Sequence, residues 1–145
     1  MPSFSHQSLL LWTARKMAAD GFMLIGCDGP MPQGGHWNAL ASPPELRGVR
    51  PDVFGYQPST GKFSFGEAKT LGDIDTPHTV QQLRVFGRLR QRGSAAMCVL
   101  YVTVPRSGTF LLDRALLAAG LVGASHIVRL HIPDCFLREA RNECA

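Results

Sequence analysis

The chain has no apolar run long enough to cross a bilayer. Its longest, Ala95 to Val104, is about half of what a spanning helix needs, and it reads as a buried strand. No basic residue precedes Leu9-Leu10-Leu11-Trp12, so the N-terminal stretch makes a poor signal peptide. The expectation is a cytoplasmic protein with no membrane partner. Cysteine is sparse: Cys27, Cys98, Cys135 and Cys144 form no CxxC pair and have no histidine at metal-ligand spacing. That excludes a zinc knuckle and leaves buried or incidental thiols in a reducing compartment as the expectation. Internal repeats, low-complexity tracts and linkers are also missing, so the 145 residues read as one domain, 1–145. Acids are outnumbered, 11 against 15 lysines and arginines, for a net charge of +4. Such a surplus leans towards polyanionic partners. With 45% hydrophobic and 18% charged residues, the composition is that of a globular protein, not a disordered one.

What is present orders itself into alternating elements. Leu10, Ala14 and Met17 make an apolar stripe over residues 6–19, a helix stopped by Gly21. Phe22 to Cys27 reads as a strand. Asp28 to Val49 is rich in Pro, Gly and Asn without periodicity, a long loop of the kind that tends to carry function. A hairpin follows, Asp52 to Gln57 and Lys62 to Lys69, turning at Pro58-Ser59-Thr60-Gly61. Asp75 or Thr76 can cap a helix starting at Pro77 and running to about Gln91, with Gly93 ending it. Ala95 to Val104 is then a central strand covered on both faces. A helix over Leu111 to Leu121, a strand over Ile127 to Ile132 and a short helix within 133–145 complete the order. The expected class is α/β, a mixed sheet flanked by helices.

Polar side chains interrupt the hairpin in one place. Phe63 and Phe65 continue on one face into Glu67 and Lys69, which lie about 7 Å apart because strand side chains alternate. Asp52 meets them if the two strands pair. Two carboxylates converging at a sheet end are unfavourable without a cation between them. All-oxygen ligands suit Mg²⁺ or Mn²⁺, which keep several waters and bind phosphate oxygens. A lysine beside such an ion can steady a hydroxide or a pentavalent phosphate. Together these parts describe phosphodiester hydrolysis.

Pro51-Asp52 on one strand, then Glu67-Ala68-Lys69 on the next, in an α-β-β-β-α-β order, resembles the PD-(D/E)XK nuclease superfamily. The resemblance covers about residues 6–105 and implies a restriction-endonuclease-like core, here with an extra C-terminal helix and strand. It also implies a Mg²⁺-dependent nuclease, with Mn²⁺ substituting. Asp52 and Glu67 would be metal ligands, the Ala68 carbonyl would complete the metal shell, and Lys69 would position or activate the attacking water. Small members similar to Holliday-junction resolvases and virus-type nuclease modules add a Gln on the following helix, here Gln81 or Gln82. Helical geometry favours Gln82, which falls within the stripe of Val80, Leu83, Phe86 and Leu89, whereas Gln81 points out. The family often places a Glu on its first helix. Residues 6–19 contain no acid, leaving His6 or Gln7 as the nearest polar substitutes and Glu45 in the loop as a further carboxylate.

Arg84, Arg88 and Arg92 recur every fourth residue and, with Arg47 and Arg50, are candidate phosphate contacts. No nucleic-acid recognition module and no aromatic stacking motif stands out. His126 and His131 point to opposite faces of one predicted strand, which argues against a chelating pair. Gly61-Lys62 lacks the spacing and the Ser or Thr of a phosphate loop. The sequence therefore leads to a DNA endonuclease, with RNA as the other substrate class. So small a core implies a homodimer or a partner for target recognition. The rival from another class is a catalytically silent binding module on the same fold.

Overall fold

A computed structural model describes residues 3–138. Its first helix, α1 (Phe4–Ala19), begins where the Ser3 hydroxyl accepts the His6 N–H and buries Leu9, Leu10, Ala14 and Met17. Gly21, at φ 96°, turns the chain out of it. Strand β1 (Met23–Cys27) follows, then a long loop containing a 3-10 turn at Gly35–Ala39. The hairpin forms as expected, β2 (Val53–Gln57) against β3 (Lys62–Ala68), with Gly61 in the left-handed region at φ 71°.

Helix α2 (Pro77–Phe86) starts with Thr76 as its cap and Pro77 in its first turn. It ends five residues short of the expected Gln91. Gly87 caps it, and a Cβ there would stand 2.5 Å from Leu121 Cδ1. The chain then folds back on itself: Cys98 donates to the Leu89 carbonyl and Gln91 to that of Ala96. This turn takes up 95–98, so β4 (Val99–Pro105) is shorter than the apolar run suggested. Helix α3 (Thr109–Ala119) and β5 (Ile127–Ile132) follow. Of the expected helix within 133–145, Asp134–Leu137 forms a 3-10 turn and 139–145 lie outside the described residues.

The sheet order is β1-β2-β3-β4-β5, antiparallel through β3 and parallel from β3 to β5. Alternation along β4 divides the core. Tyr101 faces the layer built on α1, while Leu100, Val102 and Val104 face the one built on α2 and α3. On the α1 side, Gly66 lets that helix come close, because a Cβ would meet Thr13 Cγ2 at 2.6 Å and Met17 Sδ at 2.9 Å. The buried hydroxyls of Thr13 and Thr103 also meet there, at 2.7 Å, tying α1 to β4. Cys27 and Cys98 are buried free thiols whose pKa values burial pushes up to about 11, away from thiolate chemistry. Cys135 corrects the expectation of thiols throughout: it is disulfide-bonded. No described helix is long and apolar enough to cross a membrane.

Candidate functional site

The site grows out of the antiparallel register of β2 and β3. Val53 pairs with Gly66, which brings Asp52, one residue ahead of β2, beside Glu67 near the end of β3. Two hydrogen bonds then tie the acids to each other's backbone. The Asp52 N–H is shared between the Gly66 carbonyl at 3.0 Å and Glu67 Oε1 at 3.2 Å. Asp52 Oδ2 accepts the Ala68 N–H at 2.8 Å. Each carboxylate is thus held by the strand that carries the other.

Glu67 lies on the same face as Phe65, beneath α2, and is only 1% exposed. Burial is the main cause that lifts its pKa well above the ordinary carboxylate value, and the Asp52 charge adds to it. Lys69, two residues on, comes back to this face with Nζ 3.4 Å from Glu67 Oε2. This poorly aligned contact is the one polar contact of Oε2 among the described residues, and it pulls the Glu67 pKa back down against burial. Lys69 is fixed at both ends. Its N–H extends the ladder to the Thr103 carbonyl at 3.0 Å, and its ammonium donates to Oε1 of Gln82, a buried residue of α2. Gln81 is exposed, as the helical geometry predicts. Asp52, Glu67, Lys69 and Gln82 therefore form one connected group, with Ala68 contributing its backbone.

Helix α1 supplies what the sequence left open. His6 reaches the site, its Nε2 3.7 Å from Asp52 Oδ2. That polar contact raises the imidazole pKa against the opposing effect of burial. Gln7 has no side-chain hydrogen bond to the site, and Glu45 is exposed in the loop. Only the absence of an acid pointed to His6 in the sequence; its contact with Asp52 follows from how α1 packs on the sheet. Among the described residues, no group of three or more His, Cys, Asp and Glu side chains is arranged to hold a metal ion.

The arginines separate into two sets. Arg47, at φ 49°, and Gly48 form the tip of a tight turn between Leu46 and Val49 that precedes Asp52, and both Arg47 and Arg50 are exposed. Arg84 and Arg88 instead hold the end of α3. Arg84 Nη2 donates to the Ala118 carbonyl at 2.8 Å and Arg88 Nη2 to that of Ala119 at 2.9 Å. Those carbonyls have no partner within the helix, and a cation there also offsets the helix dipole. Because α2 stops at Phe86, Arg88 and Arg92 do not continue a helical stripe. His126 and His131 are likewise apart, His126 on the Gly87 carbonyl and His131 on the Thr109 hydroxyl. No family model, no curated protein and no solved structure matches the chain.

Proposed function

We propose that the chain is a metal-dependent endonuclease acting on DNA, with RNA as the second substrate class, built on a restriction-endonuclease-like core. One observation carries the reading. A glutamate buried to 1% exposure faces a second carboxylate with a single lysine ammonium, 3.4 Å from one of its oxygens and poorly aligned, as counter-charge, so its charge is only partly compensated. Such a group costs stability unless something satisfies it, and a divalent cation does so directly. The α-β-β-β-α-β order and the placement of Gln82 on the following helix support the same reading.

The donors fit a hard cation. Asp52 and Glu67 would hold Mg²⁺ or Mn²⁺ with the Ala68 carbonyl, an all-oxygen set completed by water. The ion, when bound, acidifies its water and neutralises charge on the phosphate. The rest falls to this chain's own side chains. Gln82 holds the Lys69 ammonium over the site, where its charge opposes the negative charge that builds on the phosphate as the nucleophile attacks. His6 backs Asp52 from α1 and limits the ways the carboxylate can turn. The reading includes a homodimer, to which the exposed Phe110 and Leu117, seven residues apart on one face of α3, lend an apolar surface. It also includes a cytoplasmic location.

A second reading, a silent binding module on the same fold, draws on the small acid count: α1 offers His6 where an acid would add a ligand. Cleavage separates the two. The chain should be incubated with plasmid, linear, single-stranded and branched DNA in Mg²⁺, in Mn²⁺ and in chelator. The nuclease reading expects metal-dependent cleavage of at least one substrate, and cleavage of none favours the binding module.

A further inference from the structure

The early end of α2 leaves part of the sheet uncovered. On the α2 side of β2 and β3, Phe54 and Phe63 stack with ring centroids 5.4 Å apart and planes 10° from parallel. Phe65 continues the row from Phe54 at 5.3 Å and 14°. The fold-back after Gly87 stands to one side and the Leu46–Val49 turn to the other. Between them lies a groove of about 420 Å³ floored by the phenylalanines, with Leu46 and Leu89 on its walls.

Its charge is one-sided. Arg90 and Arg92 line the groove, both exposed, and neither guanidinium has an ion pair or hydrogen bond among the described residues. No acid lines it, and the turn that supplies Leu46 also presents Arg47. At its inner end Phe65 is buried against Phe86 of α2, ring centroids 6.1 Å apart, so the groove and the site lie along the same strand with that ring pair between them. Phe63, Phe65 and Glu67 occupy successive same-face positions of one strand, each step about 7 Å.

Apolar rings beside guanidinium groups with no ion pair or hydrogen bond among the described residues suit unstacked bases on a phosphate backbone. We propose that the groove binds a single-stranded stretch of nucleic acid adjoining the scissile phosphate, a base stacking on the Phe54–Phe63 row while Arg90 and Arg92 take its phosphates. The inference rests on the nuclease reading for its placement and deepens it. The substrate is one with a frayed, flapped or single-stranded segment, because a base inside an intact duplex cannot reach the rings. No stacking motif stands out along the sequence because the row is assembled across two strands and exposed by a helix end.

The test measures binding in chelator, where no cleavage occurs. Fluorescence anisotropy compares a short labelled oligothymidylate, an abasic strand of equal length and a blunt duplex. The single strand is expected to bind tighter than the duplex and roughly tenfold tighter than the abasic strand, the scale of one stacked base. Phe63→Leu, which keeps apolar bulk and removes the flat ring, should weaken oligothymidylate binding by about the same factor, and Phe63→Tyr should retain it. Arg90→Glu with Arg92→Glu, both exposed, should flatten the slope of log Kd against log salt by about 0.7 for each phosphate left unneutralised. Equal or tighter binding of the duplex overturns the inference, as does an unchanged Kd in Phe63→Leu and in the double arginine variant. Loss of self-association in Phe63→Leu, with no single-strand binding by the wild type, would assign the groove to a second copy and also overturn it. Single-strand binding without metal-dependent cleavage would keep the groove and remove the nuclease reading, whereas cleavage with a silent groove would do the reverse.

Discussion

Glu67 is the residue on which the proposed chemistry and its cost in stability both fall. Its raised pKa means that the folded chain holds a proton there that the unfolded chain releases. Where the native state binds more protons, stability falls as pH rises. The ionised carboxylate therefore weakens the fold from its ordinary value upward, and that weakening is fully present above the raised folded value. Glu67→Gln keeps the shape and removes the charge, so it should raise the melting temperature by a few degrees at pH 8 and change it little at pH 4. Mn²⁺ should raise the melting temperature of the wild type, because a ligand that binds only the folded chain stabilises it, and should leave Glu67→Gln unmoved. A variant no more stable than wild type at pH 8, or equally shifted by Mn²⁺, would mean that Glu67 is neither strained nor a ligand. Thermal melts across pH, with and without metal, read both effects.

Elements explain which parts of this arrangement can be read from residue order. The hairpin is legible because its alternation and its turn are local: Phe63, Phe65, Glu67 and Lys69 share a face by strand geometry alone. Gln82 is legible for the same reason, from helical periodicity within one segment. The end of α2 is not. Periodicity continues through Leu89, but Leu121, more than thirty residues later, fills the space beside Gly87 and only tertiary packing reveals it. The arginine spacing misleads in the same way, since every fourth residue suggests a stripe while Arg84 and Arg88 reach across to α3. Their role at this scale is to close a helix. Arg84→Ala and Arg88→Ala should each cost about 0.5–1 kcal/mol, read by urea unfolding, with the double variant near the sum. A pair of variants as stable as wild type would show that those carbonyls are equally well served by water.

For the whole molecule, the five-stranded sheet places its catalytic candidates at one end, between α1 on one face and α2 on the other. A domain of this size spends most of its surface on its own core, and two copies would present two such ends to the two strands of a duplex. Light scattering should therefore give twice the chain mass, and Phe110→Glu with Leu117→Glu should return it to the monomer while leaving the melt nearly unchanged. A monomer at high concentration, alone and on DNA, would contradict the dimer. The central claim is narrower: in the proposed reaction the Lys69 ammonium has a role beyond its contacts with Glu67 and Gln82. It sits at a strand end, 14% exposed, held by Gln82 and by its own N–H in the ladder. The most direct measurement is the cleavage rate of Lys69→Ala against wild type in Mg²⁺ or Mn²⁺, on whichever substrate the wild type cuts, beside the melt and DNA affinity of both. The account predicts a rate lower by roughly 10² or more, the order for losing one electrostatic stabiliser, with DNA affinity nearly intact and the chain still folded at the assay temperature, although the melt falls because Glu67 and Gln82 lose their shared partner. A wild type that cuts nothing, or a Lys69→Ala that cuts equally well, would contradict it.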